Sequence, residues 1–126
     1  MKNIENSGDI RILIDKFYKR VVKDDLIGYF FTTIIKLDWE VHIPVMNDFW
    51  GGILLGERNY KGNPMLKHIK LNELERLDEI HFDRWLFLWE TTIRENFRGI
   101  TAEEAIRRAR QIAELMKFKI QQHSSR

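Results

Sequence analysis

Residues 101–120 read TAEEAIRRARQIAELMKFKI, and one side of that string is apolar: Ala102, Ala105, Ile106, Ala109, Ile112, Ala113, Met116 and Ile120. Apolar side chains that recur every three or four residues fall on one stripe of an α-helix. Thr101-x-x-Glu104 has the form of a capping box, in which a hydroxyl and a carboxylate satisfy each other's backbone N–H groups, so the helix is expected to open there. The opposite face carries Arg107, Arg108, Arg110 and Lys117 interleaved with Glu103 and Glu114. Mixed signs on one face describe a solvated helix better than a phosphate-binding one.

Working back from this stretch, the same period returns. Phe82, Trp85, Leu86, Trp89, Thr92, Ile93 and Phe97 form a long segment closed by Arg98-Gly99. Ile10, Leu13, Ile14, Phe17, Tyr18, Val21 and Val22 form a first helix, broken by Lys23-Asp24-Asp25, and Leu26 to Phe31 reads as a short helix or turn. Trp39, Ile43, Met46, Phe49, Trp50, Ile53 and Leu54 suggest another, capped by Asp38 and holding Pro44 in its first turns. Gly56, Asn59, Gly62, Asn63 and Pro64 mark a loop, after which Met65 to Leu71 has room only for a short helix. Asn72 could cap a further turn with Glu75, while the charged segment 69–80, with Leu71, Leu74 and Leu77, carries no pattern that assigns it a conformation. No long strand-type alternation, internal repeat or low-complexity tract is present, so the expected class is all-α, helices around one core.

A chain of 126 residues with 44% hydrophobic content suffices for one compact domain, expected to span 1–126 with flexible tails at 1–8 and 121–126. The absence of cysteine excludes disulfides, thiolate metal sites and a Cys nucleophile. The longest apolar run, Leu26 to Ile35, is far below a membrane span, and a cytoplasmic protein is expected. A formal charge of +2 with no gathered basic surface argues against a nucleic-acid partner, and no segment resembles a recognition helix after a tight turn.

Two features ask for chemistry. Phe17, Tyr18, Trp39, Phe49, Trp50, Phe82, Trp85 and Trp89 give the inward faces more aromatic surface than such a bundle usually needs. They could enclose something flat, or simply pack one another. Of the four histidines, His123 lies in a polar tail, and His81 pairs with Asp78 at the start of a helix. A di-iron bundle needs a carboxylate–histidine unit twice, and this chain supplies it once. His42 and His68 remain as candidate ligands or hydrogen-bonded core residues.

Taken together, Phe17-Tyr18, Trp39-x-x-His42, Phe49-Trp50, Tyr60-x-Gly62-x-Pro64-x-x-x-His68 and His81-Phe82-x-x-Trp85-Leu86 resemble the truncated haemoglobins, specifically group III, from about Ile12 to about Leu115. The resemblance implies a small truncated globin fold in which helices sandwich haem b, iron protoporphyrin IX. It places His68 as the proximal iron ligand and Tyr18, His42 and Trp85 around the distal ligand. Phe17, Met46, Phe49 and Trp50 would contact the cofactor, and Arg58, Tyr60 and Lys67 could pair with its propionates. The other groups of truncated globins show paired glycines in the interhelical loops; here Gly28 stands alone near the first such loop, which agrees with group III, and Gly51-Gly52, inside a helix, is not that motif. The implied function is reversible binding of dioxygen, carbon monoxide and nitric oxide, for oxygen or nitric oxide redox chemistry or sensing more than bulk transport. A reductase partner, a monomer or weak dimer, and a nitric oxide dioxygenase-like or peroxidase-like activity are compatible with it. The contrasting reading is a haem-free helical protein-interaction module.

Overall fold

The computed structural model describes residues 1–34, 38–58, 72 and 76–124. Four α-helices stand among them: α1 (Ser7–Val21), α2 (Trp39–Leu55), α3 (Glu79–Asn96) and α4 (Ile100–Ser124). A short π-helical turn, Phe30–Ile34, lies between α1 and α2. Among the described residues there is no strand. Helix α1 packs on both α2 and α3, and α3 packs on α4.

The expected stripes are the buried ones. Ile10, Leu13, Ile14, Phe17, Tyr18 and Val21 of α1 are buried, as are Ala102, Ala105, Ile106, Ala109, Ala113, Met116 and Ile120 of α4. The alanines matter because small side chains let the backbone of α3 approach α4 closely. Trp89 uses that approach: its indole Nε1 donates to the Ala105 carbonyl at 3.1 Å. Trp89 is also the centre of the core, stacked on Trp50 of α2 at 4.5 Å and on Trp85 at 6.0 Å, with Phe17 edge-on at 5.0 Å. Each such pair is worth about 0.5–1.5 kcal/mol beyond the area it buries.

Helix ends follow local chemistry with two departures. Asn6 caps α1 by accepting from the Asp9 N–H, and Asp38 caps α2 by accepting from the Glu40 N–H. Gly56, at φ 73°, ends α2 in the left-handed conformation that glycine adopts without a Cβ penalty. The first departure is α4, which opens at Ile100, one residue before the expected capping box. Its cap comes from a distant part of the chain: Asn3 Oδ1 accepts from the Ala102 N–H at 3.0 Å, and the Arg98 N–H donates to the Lys2 carbonyl at 2.9 Å. Glu104 instead pairs with Arg107 on the helix surface. Gly99, at φ 136°, makes room, since a Cβ there would lie 2.6 Å from Asn3 Cγ. The polar composition of residues 1–8 suggested a flexible tail, but Ile4 is only 1% exposed and Lys2 Nζ lies 2.6 Å from the buried Asp9 carboxylate. One isoleucine is enough to seat the segment.

The second departure follows α1. Asp24 Oδ2 accepts from the backbone N–H groups of both Leu26 and Ile27 at 3.1 Å, which holds these residues in a turn and delays helical backbone until Gly28. Gly28 then donates its N–H to the Asp24 carbonyl at 3.0 Å. A Cβ at Gly28 would stand 2.9 Å from the carbonyl oxygens of Val21 and Val22, and backbone cannot yield as a side chain can. Replacing Gly28 by alanine is expected to destabilise the fold by about 1–3 kcal/mol, the usual cost of overpacking a tight site. Thermal unfolding followed by circular dichroism would show a melting point several degrees lower, and an unchanged value would refute the close approach.

Candidate functional site

Helix α2 is rich in apolar residues, yet among its seventeen only Trp50 and Gly51 are buried. Trp39, Ile43, Met46, Phe49, Ile53 and Leu54 pack against the core and remain half-exposed. Helix α1, of similar length, buries seven of fifteen. Among the described residues, a long apolar face left half-open is a candidate place for an apolar group.

The Tyr18 ring stands at one edge of this face. It is buried, and around it lie Phe17 at 4.9 Å, Phe31 at 6.0 Å, Trp39 at 5.3 Å and His42 at 5.0 Å between ring centroids. Trp39 and His42 come together because they are three residues apart on one helix, their rings 5.7 Å apart. No hydrogen bond joins the Tyr18 hydroxyl to a described residue. Burial pushes its phenol well above the ordinary tyrosine value, so the oxygen keeps its proton. Trp85 is half-buried, edge-on to the same Phe17 at 5.8 Å, and its indole N–H also has no acceptor among the described residues. Phe17 is thus the shared neighbour through which the Tyr18 and Trp85 positions are fixed relative to each other.

The residues expected at the site divide into three sets. Tyr18, His42 and Trp85 converge on Phe17 or on one another, while Met46 and Phe49 lie half-exposed on the open α2 face. Phe17 and Trp50 are fully buried and support that face from behind. Arg58 is exposed beyond the end of α2. His68, Tyr60 and Lys67 lie outside the described residues, as do Met65 to Leu71 and Glu75. His81 is more than a surface residue at a helix start: its Nδ1 accepts from the Asp78 N–H at 2.9 Å, and its ring lies edge-on to the buried Phe30 at 5.0 Å. Asn72 accepts from the Leu77 N–H at 2.9 Å.

The sequence placed Trp39 on an inward face and beside His42 in Trp39-x-x-His42, but Phe31 was not legible as a wall around Tyr18, because it reaches the phenol across a turn whose path depends on Asp24.

The model of the bacterial-like globin family matches residues 2–121. The group 3 truncated hemoglobin ctb of Campylobacter jejuni is 32% identical over 111 residues, which cover 86% of this chain and 85% of that protein. The crystal structure of a group III truncated hemoglobin from Campylobacter jejuni superposes with a TM-score of 0.83 at 31% identity, covering 95% of each chain. The chain belongs to the bacterial-like globin family and, within it, to the group III truncated haemoglobins.

Membership of a globin family implies a haem cofactor. The described residues fit one: the half-open aromatic and aliphatic face of α2 suits a flat apolar ring system, and Tyr18 and Trp85 offer neutral donors with no described acceptor of their own. Among the described residues no three His, Asp or Glu side chains gather to hold a bare metal ion, and no helix is long and apolar enough to cross a membrane.

The buried phenol gives a direct test. A raised folded-state value means the unfolded phenol ionises first, so the stability linked to Tyr18 is intact below about pH 10 and is lost progressively as the pH climbs toward the folded value. Of the three tyrosines, Tyr18 is expected to be missing from the phenolate absorbance of the native protein at pH 10–11 and to appear only on unfolding. Its ordinary titration in the native state, identified by difference from Tyr18→Phe, would contradict the enclosure described above.

Proposed function

We propose that the chain is a haem b protein in which His68 holds the iron and the Tyr18 side of the fold receives small gas molecules. The observation that carries this reading is the half-open apolar face of α2 with the protonated Tyr18 phenol at its edge. Its support from outside the chain is the likeness, in sequence and in fold, to truncated hemoglobin of group III from Campylobacter jejuni. When bound, ferrous haem supplies an iron that takes dioxygen, carbon monoxide or nitric oxide at its open face.

The protein's own part is to hold a proton and exclude water. Tyr18 is a donor throughout the physiological pH range, as a phenol is, and its enclosure by Phe17, Phe31 and Trp39 extends that protonated state well above the ordinary tyrosine range. A hydrogen bond to an acceptor carrying partial negative charge is worth about 1.5–3 kcal/mol. Trp85, stacked on Trp89 and edge-on to Phe17, adds an indole N–H. His42, edge-on to Tyr18, constrains the phenol ring and borders the same space. Met46 and Phe49 present apolar surface to the ring system. His68 would supply a neutral imidazole nitrogen to the iron. Arg58, Tyr60 and Lys67 would pair with the propionates.

Two donors favour retention of a polar gas over easy release. We therefore read the role as oxygen or nitric oxide redox chemistry, or sensing, in preference to bulk transport. Turnover would require a reductase, and the setting is cytoplasmic, with the chain acting as a monomer or weak dimer.

The first test is the visible spectrum of the purified protein, reconstituted with haemin where needed, beside a His68→Ala variant. An intense Soret band that shifts under carbon monoxide and is lost or strongly altered in the variant is expected. A protein that stays colourless after haemin addition would bring the haem-free interaction module forward. With haem in place, Tyr18→Phe is expected to speed dioxygen dissociation about 10- to 100-fold, the equivalent of the hydrogen bond removed. Dissociation that is fast already and indifferent to the change would defeat the retention argument while leaving the cofactor.

A further inference from the structure

The Asp24 carboxylate is buried and ties two parts of the molecule together. Its side chain is 3% exposed. One oxygen, Oδ2, accepts from the N–H groups of Leu26 and Ile27, and the other, Oδ1, accepts from Arg84 Nε at 2.7 Å with Arg84 Nη2 also at 2.7 Å. Burial pushes this carboxyl up, but the Ile27 N–H, the Arg84 guanidinium and the Leu26 N–H together hold it below its usual value, so it stays ionised. The backbone of Asp24 is fixed as well, its N–H donating to the Val21 carbonyl at the end of α1 and its carbonyl accepting from Gly28. The end of α1, the turn and the π-helical segment that follows therefore form one unit, and the Arg84 pair fastens that unit to α3.

The two ends of the fastening lie beside the two donors. Arg84 immediately precedes Trp85 in sequence, and Asp24 lies six residues beyond Tyr18, on the segment that delivers Phe31 against the Tyr18 ring. Burying a carboxylate is costly and must be offset by full pairing, and an apolar contact of similar size would close the same seam without that cost. What the ion pair adds is direction: hydrogen bonds weaken steeply with misalignment, so it sets the register of the turn on α3 in a way that apolar packing does not. Arg84 is itself held from the outside, its guanidinium carbon lying 5.4 Å from the Phe87 ring centroid. The exposure of Phe87 on the surface of α3 has a use in this arrangement.

We propose that Asp24 and Arg84 are a positioning pair for gas retention, setting the Tyr18 phenol and the Trp85 indole at the mutual spacing at which both donors can serve one ligand. The proposal rests on the reading of the α2 face as a haem pocket. Neither residue touches the ligand; both act through the elements that carry the donors.

The test uses the ferrous holoprotein with Arg84→Met, Arg84→Lys and Asp24→Asn, and Arg84→Met combined with Tyr18→Phe. Arg84→Met keeps part of the aliphatic stem and removes the charge, the donors and the guanidinium's contact with Phe87. It and Asp24→Asn are expected to speed dioxygen dissociation about three- to tenfold and to shift or broaden the C–O stretch of the carbon monoxide form, with Arg84→Lys recovering most of the loss. In the Tyr18→Phe background the effect of Arg84→Met is expected to shrink to less than about half, because residues acting through one another are not additive. If Arg84→Met lowers the melting temperature but leaves both the dissociation rate and the C–O stretch unchanged, the pair is structural only and the proposal fails. Full additivity with Tyr18→Phe would also overturn it. Should Arg84→Met not fold, Asp24→Asn and Arg84→Lys give the same comparison from the other partner. Failure of the wild-type protein to form a Soret band with haemin would remove the haem reading and this proposal with it, whereas a normal spectrum with unaltered kinetics in the variants removes the proposal alone.

Discussion

The stack of Trp50 on Trp89 on Trp85 is the contact on which the remaining packing depends. Its members come from α2 and α3, and Phe17 of α1 meets two of them edge-on. Trp89 sits deepest, and its one polar atom is satisfied by the Ala105 carbonyl, so α4 is tied to the stack by a hydrogen bond as well as by its alanine face. Indole rings are rigid and large. A core built on three of them leaves little freedom in how the four helices are set against each other, and it fixes the place of Phe17, against which Tyr18 and Trp85 are both measured.

That rigid half of the molecule accounts for the openness of the other half. With Trp50 and Gly51 committed to the core, the neighbouring side chains of α2 turn Trp39, Met46 and Phe49 toward a boundary that the described part of the chain leaves half-exposed. A helix whose apolar residues outnumber what its neighbours can cover is unstable in water unless something else covers it. In a globin the cofactor does so, and stability and cofactor binding are then coupled through the same surface.

The faces of α1 and α4 were legible in the sequence because each is one-sided: a single stripe of apolar residues has only one way to be buried. Helix α2 was legible as a helix but not in its partition, since apolar residues occur around more than one side and periodicity does not say which face meets protein and which meets a ligand. The N-terminal strap was not legible. Its evidence is a single isoleucine at position 4 and an asparagine that caps a helix starting ninety-seven residues later, and such a cap has no local sequence signature. At the site, Tyr18, His42 and Trp85 became candidates through resemblance to a family, because without it each is as readily a core aromatic or a hydrogen-bonded histidine. Phe31 depends on the turn that Asp24 shapes, and that turn is fastened to α3 by an arginine sixty residues away.

The placement of charge separates structural from functional electrostatics in this chain. Buried or half-buried charges lie at the seams between elements: Asp9 with Lys2 where the strap meets α1, Asp24 with Arg84 where the turn meets α3, and Lys117 among Asp83, Glu114 and Glu79 where α3 meets α4. Around Tyr18 the described neighbours are rings, and its polar atom is a protonated phenol. Charged pairs have direction and suit the fixing of register, whereas a neutral donor in an apolar enclosure does not titrate in the physiological range and is little screened by salt. On the proposed reading, a pocket arranged this way would hold a bound gas through geometry, and its grip would be set by how firmly the seams hold the rings in place.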